Sequence, residues 1–424
     1  MLNYSEKDQK YIWHPFTQSL VDQPPVNIVR AKDSKLYAEN GQEFIDAISS
    51  WWVNLHGHAH PVIKKAISDQ MEIMDQIIFA GFTHPTAIDF AEELLEFLPG
   101  NMAKVFYSDN GSTSVEVAVK MALQYWHNQN IKKQTIIAFH HSYHGDTFGS
   151  MSISQRGAFN DPFSDKLFDV EFISSPGELS TETKFMIAEF SKITAKGNVA
   201  AFIYEPLIQG AGGMLMYEPD VLDQLLNICR SNEVIAIADE VMTGFGRTGK
   251  FFASEYMKNT PDIICLSKGI TGGILPLGAT ACTKNIYENF KSNDRSKTFF
   301  HGHSYTGNSL SLAAARASLT LLRDSMTNIK FIEENHKRFI LKLKTLKNVQ
   351  NIRSRGTILA FDVDNHQQTS YFNSLRDNLY HQFIDKGVLI RPLGNVIYLM
   401  PPYCIDQNEL DTIYNAVMDV LSNL

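Results

Sequence analysis

The chain has 424 residues, of which 44% are hydrophobic and 20% charged, which is enough for a buried core and excludes wholesale disorder. Its 38 Lys and Arg against 46 Asp and Glu leave a net charge of −8, which argues against a protein built mainly to grip nucleic-acid phosphates. Cys229, Cys265, Cys282 and Cys404 are scattered without a CxxC pair, and a chain of this length needs no disulfide framework.

The N-terminal stretch MLNYSEKDQKYIWHPF mixes charge with aromatics and lacks the apolar core of a signal peptide. No stretch approaches the roughly 20 apolar residues of a membrane span. A cytoplasmic enzyme is the expectation. Further on, His56, His58 and His60 alternate in HGHAH, a spacing that would put them on one face of a strand. No carboxylate or Cys accompanies them, so no metal is expected there. His140, His141 and His144 likewise read as loop residues near the candidate site.

From residue 105 onward a pattern recurs in which a short apolar run leads into polar or glycine-rich residues and then a helical pattern. Val105–Tyr107 runs into SDNGSTSVE, Ile136–Phe139 into HHSYHGD, and Val199–Tyr204 into EPLIQGAGG. Val234–Ala238 runs into DEVMTGFGRTG and Ile263–Leu266 into SKGITGG. Such runs predict strands buried on both faces, as in a parallel sheet covered by helices. Sheets of this kind bind ligands at the carboxyl ends of their strands, where this chain carries most of its chemically active residues.

After a helix from Ser311 to about Arg323 the character changes. A region rich in Lys and Glu is followed by strands near Thr357–Val363, Val388–Arg391 and Val396–Met400, then a helix from about Gln407. The expected fold class is α/β. A large domain at residues 51–315 carries a mostly parallel sheet with helices on both faces. A smaller α+β domain combines residues 316–424 with residues 1–50.

Three features of the large domain carry the chemistry. Asn110-Gly111-Ser112-Thr113 opens a helix with apolar positions Val115, Val119, Ala122 and Tyr125–Trp126, and Thr113 with Glu116 has the form of a capping box. Such a turn either caps its helix or presents free N–H groups to a phosphate. Asp239 ends a buried strand, where a carboxylate needs a partner: a protonated ring nitrogen, an Arg or a helix cap. Lys268 ends the next strand and is either a solvated charge or a carbonyl-directed nucleophile with a lowered pKa. At one sheet edge the three would supply a phosphate cradle, a ring-nitrogen partner and an aldehyde-binding amine, the protein side of pyridoxal phosphate chemistry.

The stretch IADEVMTGFGRTGKFFA…PDIICLSKGITGG closely resembles the signature of class III, fold-type I pyridoxal-phosphate aminotransferases, and SDNGSTSVEVAVKMAL, SYHGDT and EPLIQGAGG extend the likeness over most of the chain. The resemblance implies pyridoxal 5'-phosphate as cofactor, Lys268 as its covalent anchor and proton carrier, Asp239 against the pyridine nitrogen, and Gly111 and Ser112 on the phosphate.

Other blocks are similar to the members of that family that act in biotin synthesis. They are YIWHPFT from Tyr11, Ser49-Ser50-Trp51-Trp52, ALQYW from Ala122, Tyr143-His144-Gly145-Asp146-Thr147, Arg391-Pro392 and Tyr398-Leu399-Met400-Pro401-Pro402. These imply an amino group delivered to 8-amino-7-oxononanoate, usually from S-adenosylmethionine. They also imply that Trp51 packs on substrate, that Tyr143 lies over the cofactor and touches substrate, and that Arg391 receives the substrate carboxylate. From the residues alone, Arg391 is equally suited to an intraprotein salt bridge, and Trp51 to core packing.

The turn His301-Gly302-His303-Ser304-Tyr305-Thr306-Gly307-Asn308 implies contacts reaching the site from a neighbouring subunit, hence a homodimer. Gly302 would touch substrate and His303 and Ser304 the phosphate. Phe16 stands where many S-adenosylmethionine-using relatives have Tyr, and with the HGHSYTGN turn it resembles the members that take their amino group from lysine. An ω-amino acid or diamine aminotransferase is the alternative within the family. A cofactor-sensing regulator would need a DNA-binding domain, for which there is no room before Tyr11.

Overall fold

The computed structural model describes residues 3–424 except 158, 177–179, 368 and 370. Seven strands make the central sheet: β1 (Met102–Ser108), β2 (Thr135–Phe139), β3 (Glu171–Ile173), β4 (Val199–Tyr204), β5 (Ile235–Asp239), β6 (Ile263–Leu266) and β7 (Gly278–Thr283). Their spatial order is β1-β7-β6-β5-β4-β2-β3. Neighbours from β6 to β3 run parallel, whereas β7 is antiparallel to both β6 and β1.

Strands β4 to β7 are buried along their whole length, as uninterrupted apolar runs require. Their period of two divides the core between the faces. Ile235, Ile237, Ile263 and Cys265 pack with Val115, Val119, Ala122 and Trp126 of the helix Gly111–Asn128. Ala236, Ala238, Ile264 and Leu266 join Phe202 and Tyr204 in the larger core on the other face. A fully buried aliphatic or aromatic side chain contributes about 1.5–3 kcal/mol, so this double packing holds β5 and β6 rigidly in register. The expected mostly parallel sheet with helices is borne out.

Two sheet strands had no expectation attached to them. β7 reads GATACT, with too few bulky side chains to signal a strand, and β3 is a three-residue edge. In the C-terminal part, Val349–Arg355 is also a strand, although its VQNIRSR composition is polar. It is a half-exposed edge paired with Ile358–Val363, which in turn pairs with Val396–Leu399. The expected helices are found at Ser309–Asp324 and Gln407–Ser422.

The capping box expected of Thr113 and Glu116 lies elsewhere. Asn110 is the N-cap, accepting from the Thr113 N–H at 2.9 Å while the Thr113 hydroxyl accepts from the Asn110 N–H at 3.2 Å. Glu116 instead accepts from the Thr147 hydroxyl and the Gly149 N–H, because its helix face points at that loop.

A four-stranded sheet joins the chain ends. Ile28–Lys32, Lys35–Ala38 and Glu43–Asp46 run antiparallel, and Val388–Leu389 adds in parallel to Glu43–Asp46. This pairing sets the Ser49–Trp52 segment beside Arg391. Among the described residues, no helix is long and apolar enough to cross a membrane.

Candidate active site

A cavity of about 320 Å³ opens at the carboxyl ends of β5 and β6. Eight of the residues singled out from the sequence line it: Phe16, Trp51, Gly111, Ser112, Tyr143, Asp239, Lys268 and Arg391.

Asp239 is the last residue of β5 and is buried. One carboxylate oxygen accepts from the Val241 N–H at 3.1 Å, and the other lies 2.7 Å from Nδ1 of His144. His144 is buried as well, and its Nε2 has no hydrogen-bond partner among the described residues. The Asp239 carboxylate is therefore steered from behind by an imidazole and a backbone amide. The sequence reading of His144 as a loop residue near the site agrees with its place in the cavity lining, while its contact with Asp239 is not expected from the sequence. The signal available is its place in SYHGDT, five residues beyond a buried strand, but nothing local ties it to Asp239.

Lys268 begins a short turn after β6 with a φ of 46°, a left-handed conformation that aims its side chain away from the helical direction of Gly269–Thr271. Its ammonium sits 4.8 Å from the Trp52 ring centre. Burial pushes its pKa down, opposed by the nearby Asp239 and Glu205 carboxylates. A lysine so placed can expose a neutral, nucleophilic amine.

The first N–H groups of the helix Gly111–Asn128 have no partner within that helix, and they stand at the positive end of its dipole. A loop crosses tightly in front. Gly145 has a φ of +133°, and a Cβ there would lie 2.2 Å from Oγ of Ser112. The Ser112 hydroxyl accepts from the Asp146 N–H at 3.1 Å. The geometry suits a small anion held by backbone amides and a hydroxyl.

Glu205 follows β4 as Asp239 ends β5, and it too lines the cavity. Its carboxylate accepts from the Tyr143 N–H at 3.0 Å and the Gly210 N–H at 2.8 Å, tying the Tyr143 loop to the sheet edge. Burial raises its pKa to about 7. Burial and the neighbouring Asp146 carboxylate keep the Tyr143 phenol protonated. The motif EPLIQGAGG was in view, yet Glu205 had no role assigned, although an acid directly after a buried strand was the signal that found Asp239.

The opposite wall is aromatic. The Phe16 ring meets Trp51 edge-on at 5.4 Å, and the Arg391 guanidinium lies 5.5 Å from the Trp51 ring centre. Arg391 lines the cavity, and among the described residues no ion pair is found for it; its planar fork suits a carboxylate. Trp51 is 42% exposed, so it is a wall and not core, whereas Trp52 is buried and donates from Nε1 to the Tyr398 hydroxyl at 3.0 Å. Ser49, Ser50 and Trp52 have φ values of 53°, 60° and 68°. Left-handed backbone at a non-glycine residue costs on the order of 1–3 kcal/mol and persists only where the surroundings enforce it.

Gly302, His303 and Ser304 lie outside this cavity. Gly302 and Ser304 are exposed, and His303 comes within 4.0 Å of Asp109. The three histidines of HGHAH do not share a strand face. His56 lies 3.0 Å from the Ser318 hydroxyl, His58 lies 2.9 Å from Asp46, and His60 is the N-cap of the helix Pro61–Ile73. Each has its own surroundings, and no strand carries them.

Pyridoxal 5'-phosphate fits what is present. A partly enclosed amine, a buried carboxylate backed by a histidine, and a helix N-terminus pinched by Gly145 face one cavity of suitable size. These are the groups needed for its aldehyde, its ring nitrogen and its phosphate.

Residues 17–421 match the family model for class-III aminotransferases. The chain is 48% identical over 421 residues to an adenosylmethionine-8-amino-7-oxononanoate aminotransferase of Synechococcus elongatus, covering 98% of this chain and 99% of that one. It is 36% identical to the protein of the same name from Staphylococcus aureus, over 100% of this chain and 99% of the relative. Among solved structures, the adenosylmethionine-8-amino-7-oxononanoate aminotransferase of Methanocaldococcus jannaschii superposes with a TM-score of 0.91 at 34% identity, covering 98% of both chains. A PLP-bound amine transaminase from an uncultivated Pseudomonas species gives 0.92 at 28% identity, over 97% of this chain and 98% of its own. With its fold, its strand-end lysine and aspartate and these matches agreeing along nearly the whole sequence, the chain belongs to the class-III aminotransferases and is a pyridoxal-phosphate-dependent transaminase.

Proposed function

We propose that this enzyme transfers an amino group to 8-amino-7-oxononanoate, giving 7,8-diaminononanoate for biotin synthesis, with S-adenosylmethionine as donor. The observation that carries the reading is the wall formed by Arg391, Trp51 and Phe16: a guanidinium with no ion pair among the described residues, set beside aromatic surface. A long acceptor with one terminal carboxylate suits such a wall, since its chain packs on rings while the carboxylate takes the fork of Arg391. The names of the Synechococcus, Staphylococcus and Methanocaldococcus proteins support the same acceptor and donor.

When bound, pyridoxal phosphate supplies an aldehyde that takes up amines and a ring that withdraws electrons from the carbon losing its proton. Lys268 would hold the aldehyde, and its Nζ, whose pKa burial lowers, would move the proton at the reacting carbon. Asp239, oriented by His144, would pair with the ring nitrogen. Gly111 and Ser112 hold the phosphate at the helix N-terminus. Tyr143, fixed through its amide by Glu205 and lining the cavity, would cover the ring and exclude water there.

Gly302, His303 and Ser304 act in a second copy's site, which requires a homodimer; sedimentation of the holoenzyme checks this. We read residues 1–50 and 316–424 as one domain and 51–315 as the other. The four cysteines are unpaired among the described residues, which suits a reducing cytoplasm. Phe16 favours a second donor reading: without a hydroxyl at that place, lysine replaces S-adenosylmethionine.

The test is to add each donor separately to the purified holoenzyme with 8-amino-7-oxononanoate, following the cofactor absorbance and the diamine formed. S-adenosylmethionine alone driving both is the expected result. Turnover with lysine alone establishes the second reading, and turnover with neither directs the search to ω-amino acids and diamines.

A further inference from the structure

Three consecutive features around Ser49–Trp52 belong together. Strand Glu43–Asp46 ends in a fully buried aspartate, the next turn holds an unusual backbone, and that turn delivers Trp51 and Trp52 to the cavity. Ser50 adopts a φ of 60° with a ψ of −91°, near the rare and strained three-residue turn, and Trp52 follows with a φ of 68°. A bulky residue in this region is a true outlier, so the surroundings must impose the shape.

The groups that impose it are identifiable. The Asp46 carboxylate accepts from the Ile48 N–H at 3.3 Å, from the Ser50 N–H at 2.8 and 2.7 Å through its two oxygens, and from the Ser50 hydroxyl at 3.2 Å. Further along, the Ser49 hydroxyl donates to the Met400 carbonyl, and Arg247 donates to the carbonyls of Trp52 and Asn54. Asp46 can bend the turn only if its own carboxylate is fixed. Among the described residues, the side chain outside the turn that holds it is His58, whose Nε2 lies 2.9 Å from Oδ2. His58 is anchored in turn by paired backbone bonds with Asp33, at 3.0 and 2.7 Å.

We propose that His58 is a positioning residue for the substrate wall: through Asp46 it locks the Ser49–Trp52 turn and so fixes where the Trp51 ring stands against Arg391 and Phe16. His58 touches neither cavity nor ring. Removing its Nε2–H leaves a buried carboxylate short of a donor, and the turn loses the restraint that opposes its strain. The wall then moves by fractions of an ångström, which suffices to weaken substrate placement. This rests on the reading of Trp51 as part of the substrate wall.

The experiment compares His58→Leu with His58→Gln in full-length holoenzyme, because Gln can offer an Nε2–H from a side chain of similar reach. The readouts are KM and kcat for 8-amino-7-oxononanoate at saturating donor, and deuterium uptake of residues 47–55 in the apoprotein. His58→Leu is expected to raise KM roughly ten-fold with a smaller change in kcat, and to speed uptake in 47–55 without changing it in β5 or β6. His58→Gln restores both. Unchanged uptake in the Leu variant overturns the proposal, as does uptake that rises across the whole sheet with no rescue by Gln. His58→Asn, one methylene too short to reach, supplies the same contrast if the Leu variant is not recovered. Trp51→Ala separates the two readings. If it leaves KM unchanged, the wall assignment fails and the uptake arm alone decides the lock. If it raises KM while His58→Leu does not, the lock fails.

Discussion

The cavity has two walls of different construction. The sheet-edge wall consists of Asp239 and Lys268, each emerging from a strand packed on both faces, with the Gly111 helix end beside them. The facing wall consists of Phe16, Trp51 and Arg391, drawn from both ends of the chain and carried on turns and a two-residue strand. The first wall inherits its rigidity from the core. The second must be held residue by residue, through the Asp46 carboxylate, Arg247 and the Trp52 bond to Tyr398. On the proposed reading, reaction chemistry stands on regular structure, and substrate choice on turns held by individual side-chain bonds.

That contrast makes the sheet edge the place where single changes should be most damaging. Lys268→Ala should retain cofactor yet lose turnover by about 10⁴-fold or more with every donor, since it removes both nucleophile and proton carrier. Single-turnover kinetics with saturating donor checks this, and normal turnover would remove Lys268 from its role. Asp239→Asn preserves shape and removes the charge that His144 orients, so a loss of about 10²- to 10³-fold in kcat is expected for all substrates alike. A loss confined to one substrate would mean that Asp239 belongs to the second wall.

The same contrast explains what was legible beforehand. Buried strands announce themselves by local composition, so β4, β5 and β6 and the residues ending them could be read directly. β7 could not, because GATACT is a strand by virtue of its neighbours and not of its side chains. Glu205 obeyed the rule that found Asp239, and only the absence of a matching motif role hid it. His144 and His58 were seen as histidines, but their partners Asp239 and Asp46 are set by loop paths that no local pattern encodes. Phe16, Trp51 and Arg391 were marked through family likeness alone; their meeting depends on Val388–Leu389 adding to the strand Glu43–Asp46, a long-range pairing.

On the second wall, Arg391→Gln should act through binding. Loss of a charge-assisted fork costs about 1.5–3 kcal/mol, or roughly 10- to 100-fold in KM for the carboxylate-bearing acceptor, with kcat little changed. Steady-state kinetics on the acceptor and on its methyl ester checks this, since the ester should lose nothing further in the variant. An equal fall in kcat would make the two walls one functional unit.

Glu205 joins the walls, since it rises from the sheet edge and holds the Tyr143 loop. Burial lifts its pKa from 4.5 to about 7, so the folded protein binds this proton more tightly than the unfolded chain does. The stability it contributes is therefore complete below about pH 4.5 and is lost as pH rises through about 7. Glu205→Gln imitates the protonated form and removes the titration. Thermal unfolding of the apoproteins should show the wild type losing on the order of 2 kcal/mol more than the variant between about pH 5 and pH 8. Parallel pH profiles would mean that the Glu205 carboxyl is not the group that couples this titration to stability.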